Sequence, residues 1–320
     1  MTGFLKRWVD PLVVMLLSTL VLGIVVPVPE SMRAGISTAG LVAIFMLFFA
    51  YGLRLPTREV LDGMRNFRLQ GAILSATYLI FPALGLLASW AMRPLIGDAL
   101  AMGVLFLSLL PSTVQGSVAI TSVAKGNVSA AICAATVSNV LGIIVTPLLV
   151  LWLMGADAGA DASGIRSILT NLLLPFVLGQ LLSRWFGPWV RRHRWVTMTI
   201  DRGSIVIVLF GAVSSATADG VWTTVSVGML LTLVALAGVL LSVMLAITWW
   251  GSAALKLSLA DRVPVLMCGT QKSLATGLPM AIVLFPAATV ATVALPVILY
   301  HQLQLVVCAI LARALAQQAQ

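Results

Sequence analysis

Apolar residues gather along this chain in long blocks separated by short polar turns. A helix crosses a bilayer with about 20 mostly apolar residues. Ten such blocks can be marked, at about 10–28, 34–53, 69–92, 98–124, 128–154, 165–186, 197–217, 221–249, 263–285 and 288–315. Several exceed the minimum, which predicts tilted or interrupted helices. Polar residues interrupt the fourth block at Pro111-Ser112-Thr113-Val114-Gln115-Gly116-Ser117 and the ninth at Cys268-Gly269-Thr270-Gln271-Lys272-Ser273. A helix broken at membrane depth frees backbone groups that only protein or a water-lined cavity can satisfy. Each break therefore predicts an interior site.

Ten spans divide into two halves of five, residues 1–160 and 161–320, and an odd-numbered repeat must insert upside down relative to its twin. The two breaks fall fourth in their halves, about 154 residues apart. Matching breaks in two halves point to the substrate site of an inverted-repeat transporter. Two unrelated helix kinks are the plainer alternative.

Composition sharpens the membrane reading. The chain has 320 residues, 60% hydrophobic and 9% charged, with a mean hydropathy of +1.09; soluble domains carry about 25% charged residues. A net charge of +9 could suit a nucleic-acid binder, but the basic residues sit in short loops, as in the positive-inside pattern. With the N-terminus inside, that side holds Lys6, Arg7, Arg54, Arg58, Arg65, Arg68, Lys125, Arg184, Arg191, Arg192, Arg194, Arg202, Lys256, Arg262 and Arg313. The other side holds only Arg33, Arg93 and Arg166. Fifteen against three places both termini in the cytoplasm, and the expected location is a plasma (inner) membrane. The apolar start reads as a retained first helix rather than a signal peptide. Cys133, Cys268 and Cys308 lie in apolar segments without metal or redox spacing. No zinc, Walker, nucleophile-elbow or paired-carboxylate motif is present, so no enzyme and no nucleic-acid partner is expected.

The chemistry sits at the breaks. Thr113, Gln115 and Ser117 in the first, and Thr270, Gln271 and Ser273 in the second, offer oxygens and amides beside unwound backbone. Such ends hold cations at carbonyls and anions at helix N-termini. Asn139 on the fifth span is either a helix-packing clamp or a ligand, and Thr77 on the third is a weaker site residue. His301 and Gln302 follow Tyr300 on the last span, where His301 is as readily a packing residue as a solute contact. Lys272 is the charged residue at depth, since Asp10, Asp98, Asp201, Asp219 and Asp261 all fall at expected span ends or turns. It can be a proton switch, a counter-charge for an anionic substrate, or a tethered cation filling an ion site. A lysine that snorkels to a loop is the bland reading.

These segments carry a resemblance. Pro111 through Pro147 with its Lys125-Gly126-Asn127 turn, Gly269-Thr270-Gln271-Lys272-Ser273, and Tyr300-His301-Gln302 together resemble the bile acid:sodium symporter family over nearly the whole length. The Cys-Gly-Thr-x-Lys-Ser form is similar to that family's divergent "member seven" branch. The resemblance implies an all-α polytopic membrane protein of ten transmembrane helices. Crossed, discontinuous helices 4 and 9 are implied, with a core domain of helices 3–5 and 8–10 and a panel domain of helices 1, 2, 6 and 7. It also implies a cavity between the domains, filled by alternating access and driven in the well-studied branch by two sodium ions.

The family's sodium ligands map unevenly. Ser117 and Gln271 match ligand positions, and Ser273 is kept. Val118 stands at an asparagine position, Ala131 and Ala135 at hydroxyl positions, Thr77 at a glutamine and Lys272 at an asparagine. Met267 stands where the family has the glutamate shared by both sodium sites. Losing the carboxylate and gaining an ammonium removes much of the basis for holding two sodium ions. The expected function is secondary transport of a small organic, anionic solute, with no cofactor apart from possible sodium ions. The residues expected at its site are Thr113, Gln115, Ser117, Asn139, Thr270, Gln271, Lys272, Ser273, His301, Gln302 and Thr77. The alternatives are a sodium-coupled organic-anion symporter with rearranged ligands, and a non-transporting membrane regulator of ion or envelope homeostasis. The oligomeric state is left open.

Overall fold

A computed structural model describes residues 11–26, 28–55, 66–155, 166–223 and 225–318, which form helices and turns with no β-strand. In chain order the helices are α1 (Pro11–Val25), α2 (Glu30–Arg54), α3 (Phe67–Ile96), α4 (Asp98–Leu109), α5 (Val114–Val123) and α6 (Val128–Met154). They continue as α7 (Arg166–Arg192), α8 (Arg194–Ala218), α9 (Val227–Ala254), α10 (Leu259–Thr270), α11 (Leu274–Leu284) and α12 (Ala287–Gln318).

Among the described residues seven helices are long and apolar enough to cross a membrane, namely α2, α3, α6, α7, α8, α9 and α12. The pair α4 and α5, bent by 61°, makes an eighth. Helices α1, α10 and α11, with 15, 12 and 11 residues, are each shorter than a crossing. The expected first span starts at residue 10, outside the described residues, as do Lys6, Arg7, Arg58 and Arg65 among the basic residues.

Local chemistry moved some boundaries. The expected eighth span begins later, at Val227, because the Ser226 hydroxyl accepts from the Met229 N–H and caps the helix there. The sixth runs on through Pro188 to Arg192, since its last turns carry exposed tryptophans and arginines rather than a uniform apolar surface. Asp201, expected at a span end, lies inside α8 and is 5% exposed.

The helices fall into two compact units. The first comprises Met1–Leu55, Ala158–Val225 and Leu278–Ala291. Here α2 and α7 approach backbone to backbone at two glycines. A Cβ on Gly52 would lie 2.1 Å from the Phe176 carbonyl oxygen, and one on Gly179 would lie 2.1 Å from that of Phe49. Small residues at such contacts let membrane helices gain van der Waals packing where no hydrophobic drive exists. Arg54 pairs with the buried Asp201 at 3.0 Å and lies 4.4 Å from the centre of the Tyr51 ring, tying α2 to α8. The Thr217 hydroxyl donates to the Gly23 carbonyl at 3.1 Å and so ties α8 to α1.

The second unit comprises Pro56–Asp157, Ser226–Gly277 and Thr292–Gln320. Helix α10 lies between two apolar clusters. One joins Met267 and Val263 to Ile120 of α5 and Cys308 of α12. The other joins Cys268 and Val265 to Leu69 of α3 and to Ala131 and Ala135 of α6. The turn at Lys125-Gly126-Asn127 has Lys125 at φ +56°, and Asn127 caps α6 by accepting from the Ala130 N–H at 3.1 Å.

Candidate functional site

Pro111 makes the first break. Its ring disfavours helical backbone at the preceding residue, and Leu110 is extended at φ −71°, ψ 152°. Helix α5 restarts after Thr113, and the segment between leaves main-chain groups without helical partners. Side chains of α6 take several of them. Thr146 donates to the Leu109 carbonyl at 2.8 Å, Asn139 donates to that of Ser112 at 2.5 Å, and the Ser112 N–H donates to the Ser138 hydroxyl at 3.0 Å.

The second break answers the first across the unit. Helix α10 ends at Thr270, and Gln271 is extended at φ −80°, ψ 141°. The Ser273 N–H donates to the Pro111 carbonyl at 2.8 Å, and the Thr113 hydroxyl donates to the Lys272 carbonyl at 2.9 Å. One turn further on, the Ser117 hydroxyl donates to Gln271 Oε1 at 3.1 Å. The two interruptions thus satisfy each other's backbone, which is how irregular chain persists in an apolar interior.

From α12, Gln304 grips the Lys272 peptide with both ends of its amide. Its Oε1 accepts from the Lys272 N–H at 2.7 Å, and its Nε2 donates to the Lys272 carbonyl at 2.9 Å. The same Nε2 lies 2.9 Å from His301 Nδ1, which in turn is 3.4 Å from the Lys272 carbonyl. The Tyr300 hydroxyl donates to the Thr270 carbonyl at 2.9 Å.

Lys272 itself is 1% exposed. Its Nζ donates to three carbonyls, of Thr77 at 3.0 Å, Ser108 at 2.7 Å and Leu110 at 2.7 Å. The centre of the Phe81 ring is 4.3 Å away, within cation–π range. Each of those carbonyls is free for a local reason. Helix α3 widens to a π turn over Ala76–Ile80, so the Phe81 N–H goes to the Ala76 carbonyl instead of Thr77's. The next residue, Pro82, has no N–H to offer. Ser108 and Leu110 lie at the end of α4, where the helix stops supplying donors. Gly85 lets α3 come close enough to α4 for this cage, since a Cβ there would lie 2.2 Å from the Ser108 side chain.

The expected site residues separate into two groups. Thr113, Ser117, Asn139, Thr270, Gln271, Lys272, Ser273 and His301 lie together in this network. Ser273 caps α11 by accepting from the Thr276 N–H at 3.3 Å, and the Thr270 hydroxyl is 3.3 Å from that of Thr248. Gln115 is exposed on α5, and Gln302 is half-buried outside the network. Thr77 bonds its hydroxyl back to the Ile73 carbonyl at 2.8 Å, so its contribution is its main chain. Gln304 and Ser138 join the network, the Tyr78 hydroxyl donates to the Ser138 carbonyl at 2.5 Å, and Thr146 belongs to it without any sequence signal of its own. The signal that could have pointed to the cage is Phe81-Pro82: a proline inside an apolar span frees a carbonyl one turn back, that of Tyr78 in a regular α-helix and that of Thr77 once the π turn shifts the register.

The first unit contains a cavity of about 280 Å³, walled mainly by Ile36, Leu41, Ile207 and Val208. Ser37, Ser214 and Ser215 add hydroxyls, and Arg33 is its single charged residue. Arg33 Nε is buried there without a hydrogen-bond partner among the described residues.

The chain is similar along nearly its whole length to known proteins. The model of the SBF-like CPA transporter family matches residues 10–317. An uncharacterized protein of Pseudomonas aeruginosa is 42% identical over 279 residues, 87% of this chain and 84% of its own. YfeH of Escherichia coli, a candidate symporter by name, is 37% identical over 316 residues, 98% of this chain and 95% of its own. Sodium/bile acid cotransporter 7 of Mus musculus is 26% identical over 283 residues, 86% of this chain and 82% of its own. With its many apolar helices and two interlocked breaks, this chain is an integral membrane protein and belongs to the SBF-like CPA family of bile acid:sodium symporter-like transporters.

Proposed function

We propose that the protein is a secondary active transporter that moves a small organic anion by alternating access. The observation that carries this reading is the pair of broken helices, each holding the other's freed backbone at Ser273–Pro111 and Thr113–Lys272. Breaks of this kind mark transporter sites because unwound backbone can be redirected to a solute or ion. The chain crosses the membrane ten times in this reading, as inverted repeats 1–160 and 161–320 with both termini cytoplasmic. Core and panel domains move against each other, in an inner membrane of the bacterial type. The cavity around Arg33 supports an anionic solute with an apolar body.

Sodium coupling is not part of the reading. Three positions that would hold sodium by family resemblance, Met267, Ala131 and Ala135, are packed in apolar clusters. Ser117 and Gln271, which keep ligand-type side chains, bond to each other. A symporter with rearranged ligands has Asn139 as its best remaining candidate, but its amide already donates to the Ser112 and Ala135 carbonyls.

The test begins with purified protein and a panel of carboxylates, sulfates and bile acids, read as ligand-induced thermal stabilisation. The strongest binder is then radiolabelled and its uptake measured in proteoliposomes. Saturable uptake supports transport. Absence of both stabilisation and uptake across the panel would favour a non-transporting regulator.

A further inference from the structure

We propose that the Lys272 ammonium is a tethered cation in a main-chain carbonyl cage, and that this cage without its side chain binds a free monovalent cation. The inference deepens the site of the proposed transporter, but rests on geometry that needs no solute.

The donor count decides which form of the lysine fits. An ammonium has three N–H donors, and three carbonyl oxygens stand at 2.7–3.0 Å from Nζ. A neutral amine would turn its lone pair toward one of those oxygens. The face of Phe81 at 4.3 Å adds a fourth electron-rich wall. Every neighbour of the nitrogen is therefore one that a cation prefers.

The same neighbours rule against two other roles for this residue. A solute anion would have to approach through carbonyl oxygens that repel it, toward an ammonium whose donors are all taken and which is 1% exposed. A proton relay needs a partner able to accept the proton, and carbonyls and a phenyl ring cannot. What remains is a cation held permanently where the two broken helices and α3 meet. It closes the backbone ledger that the π turn, Pro82 and Pro111 opened.

The ligand class of the emptied cage follows from its charge. Its walls carry dipoles but no carboxylate, which suits a monovalent ion. Divalent ions are usually held by carboxylates that are lacking here. A primary alkylammonium reproduces the lysine's three donors, whereas tetramethylammonium has none.

The experiment compares melting of purified wild-type, Lys272→Ala and Lys272→Met proteins in propylammonium chloride and in tetramethylammonium chloride at matched ionic strength. The alanine variant should melt below wild type and rise saturably with propylammonium, by about 2 °C or more, with no response to tetramethylammonium. Wild type and the methionine variant, whose cages are filled, should show no propylammonium-specific rise. If the alanine variant gives no folded protein, preparing membranes with propylammonium present should restore it. A folded alanine variant that ignores propylammonium, or answers both salts alike, overturns the proposal, as does failure of the restoration. Cation rescue without any solute uptake would fault the transport reading alone, and uptake without rescue would fault the cage alone.

Discussion

Lys272 supplies at Thr77 the hydrogen bond that Pro82 withholds. The Thr77 carbonyl has lost its helical donor to a π turn and its next possible donor to a proline, and the lysine nitrogen reaches it at 3.0 Å. A residue of the second half of the chain thus completes a helix of the first, which makes the charge part of the fold as well as of the site.

Replacing the ammonium should therefore be expensive. Lys272→Met leaves three carbonyls unpaired, each costing about 1–3 kcal/mol, and should lower the melting temperature of detergent-purified protein sharply. Lys272→Arg should not restore it. A planar guanidinium spreads its donors in a fork, while the three carbonyls converge on one point.

The Gln304 amide is specific in both directions. Gln304→Glu keeps an acceptor for the Lys272 N–H but sets an oxygen against the Lys272 carbonyl. It should destabilise by about 1–3 kcal/mol, as should Gln304→Leu. Melting curves of the two variants should fall together below wild type, and a wild-type curve for the glutamate variant would show that the grip is not made.

Gly85→Ala tests the close approach of α3 to α4. The new methyl meets the Ser108 side chain at 2.2 Å, and overpacking of this kind costs about 1–3 kcal/mol. Adding Ser108→Gly removes the opposing atoms and should recover part of the loss, a coupling that a double-mutant cycle measures. Additive losses would place the damage elsewhere.

In the other unit, the Arg54–Asp201 pair is partly buried and bridges α2 and α8. Removing one partner of a buried pair costs about 3–5 kcal/mol. Asp201→Leu and Arg54→Met should each lower the melting temperature more than the two combined, because the double variant strands no charge. Equal losses in single and double variants would contradict this.

Apolar runs, the two breaks and the buried lysine were legible in the sequence, because bilayer crossing and helix breaking leave compositional marks. The walls of the lysine's cage were not. They are carbonyl oxygens of Thr77, Ser108 and Leu110, and main-chain atoms carry no letter of their own. Only prolines hint at them, by naming which N–H groups are missing. Gln115 shows the converse: it lies in the break motif by spacing, yet the restarted turn of α5 leaves it exposed. Asp201 read as a helix-end residue because it lies near the edge of an apolar block, and its arginine partner, 147 positions away, leaves no local mark in the sequence. Helix ends set by one capping hydroxyl, as at Ser226, were equally hard to place from apolar runs.

The central claim is transport with the cation already built in. Its most direct measurement is initial uptake of the best-binding organic anion into wild-type proteoliposomes, with sodium chloride and then choline chloride outside at equal ionic strength. The account predicts saturable uptake at the same rate in both salts. Uptake that requires sodium would contradict it, and would mean that a free ion is needed beside Lys272.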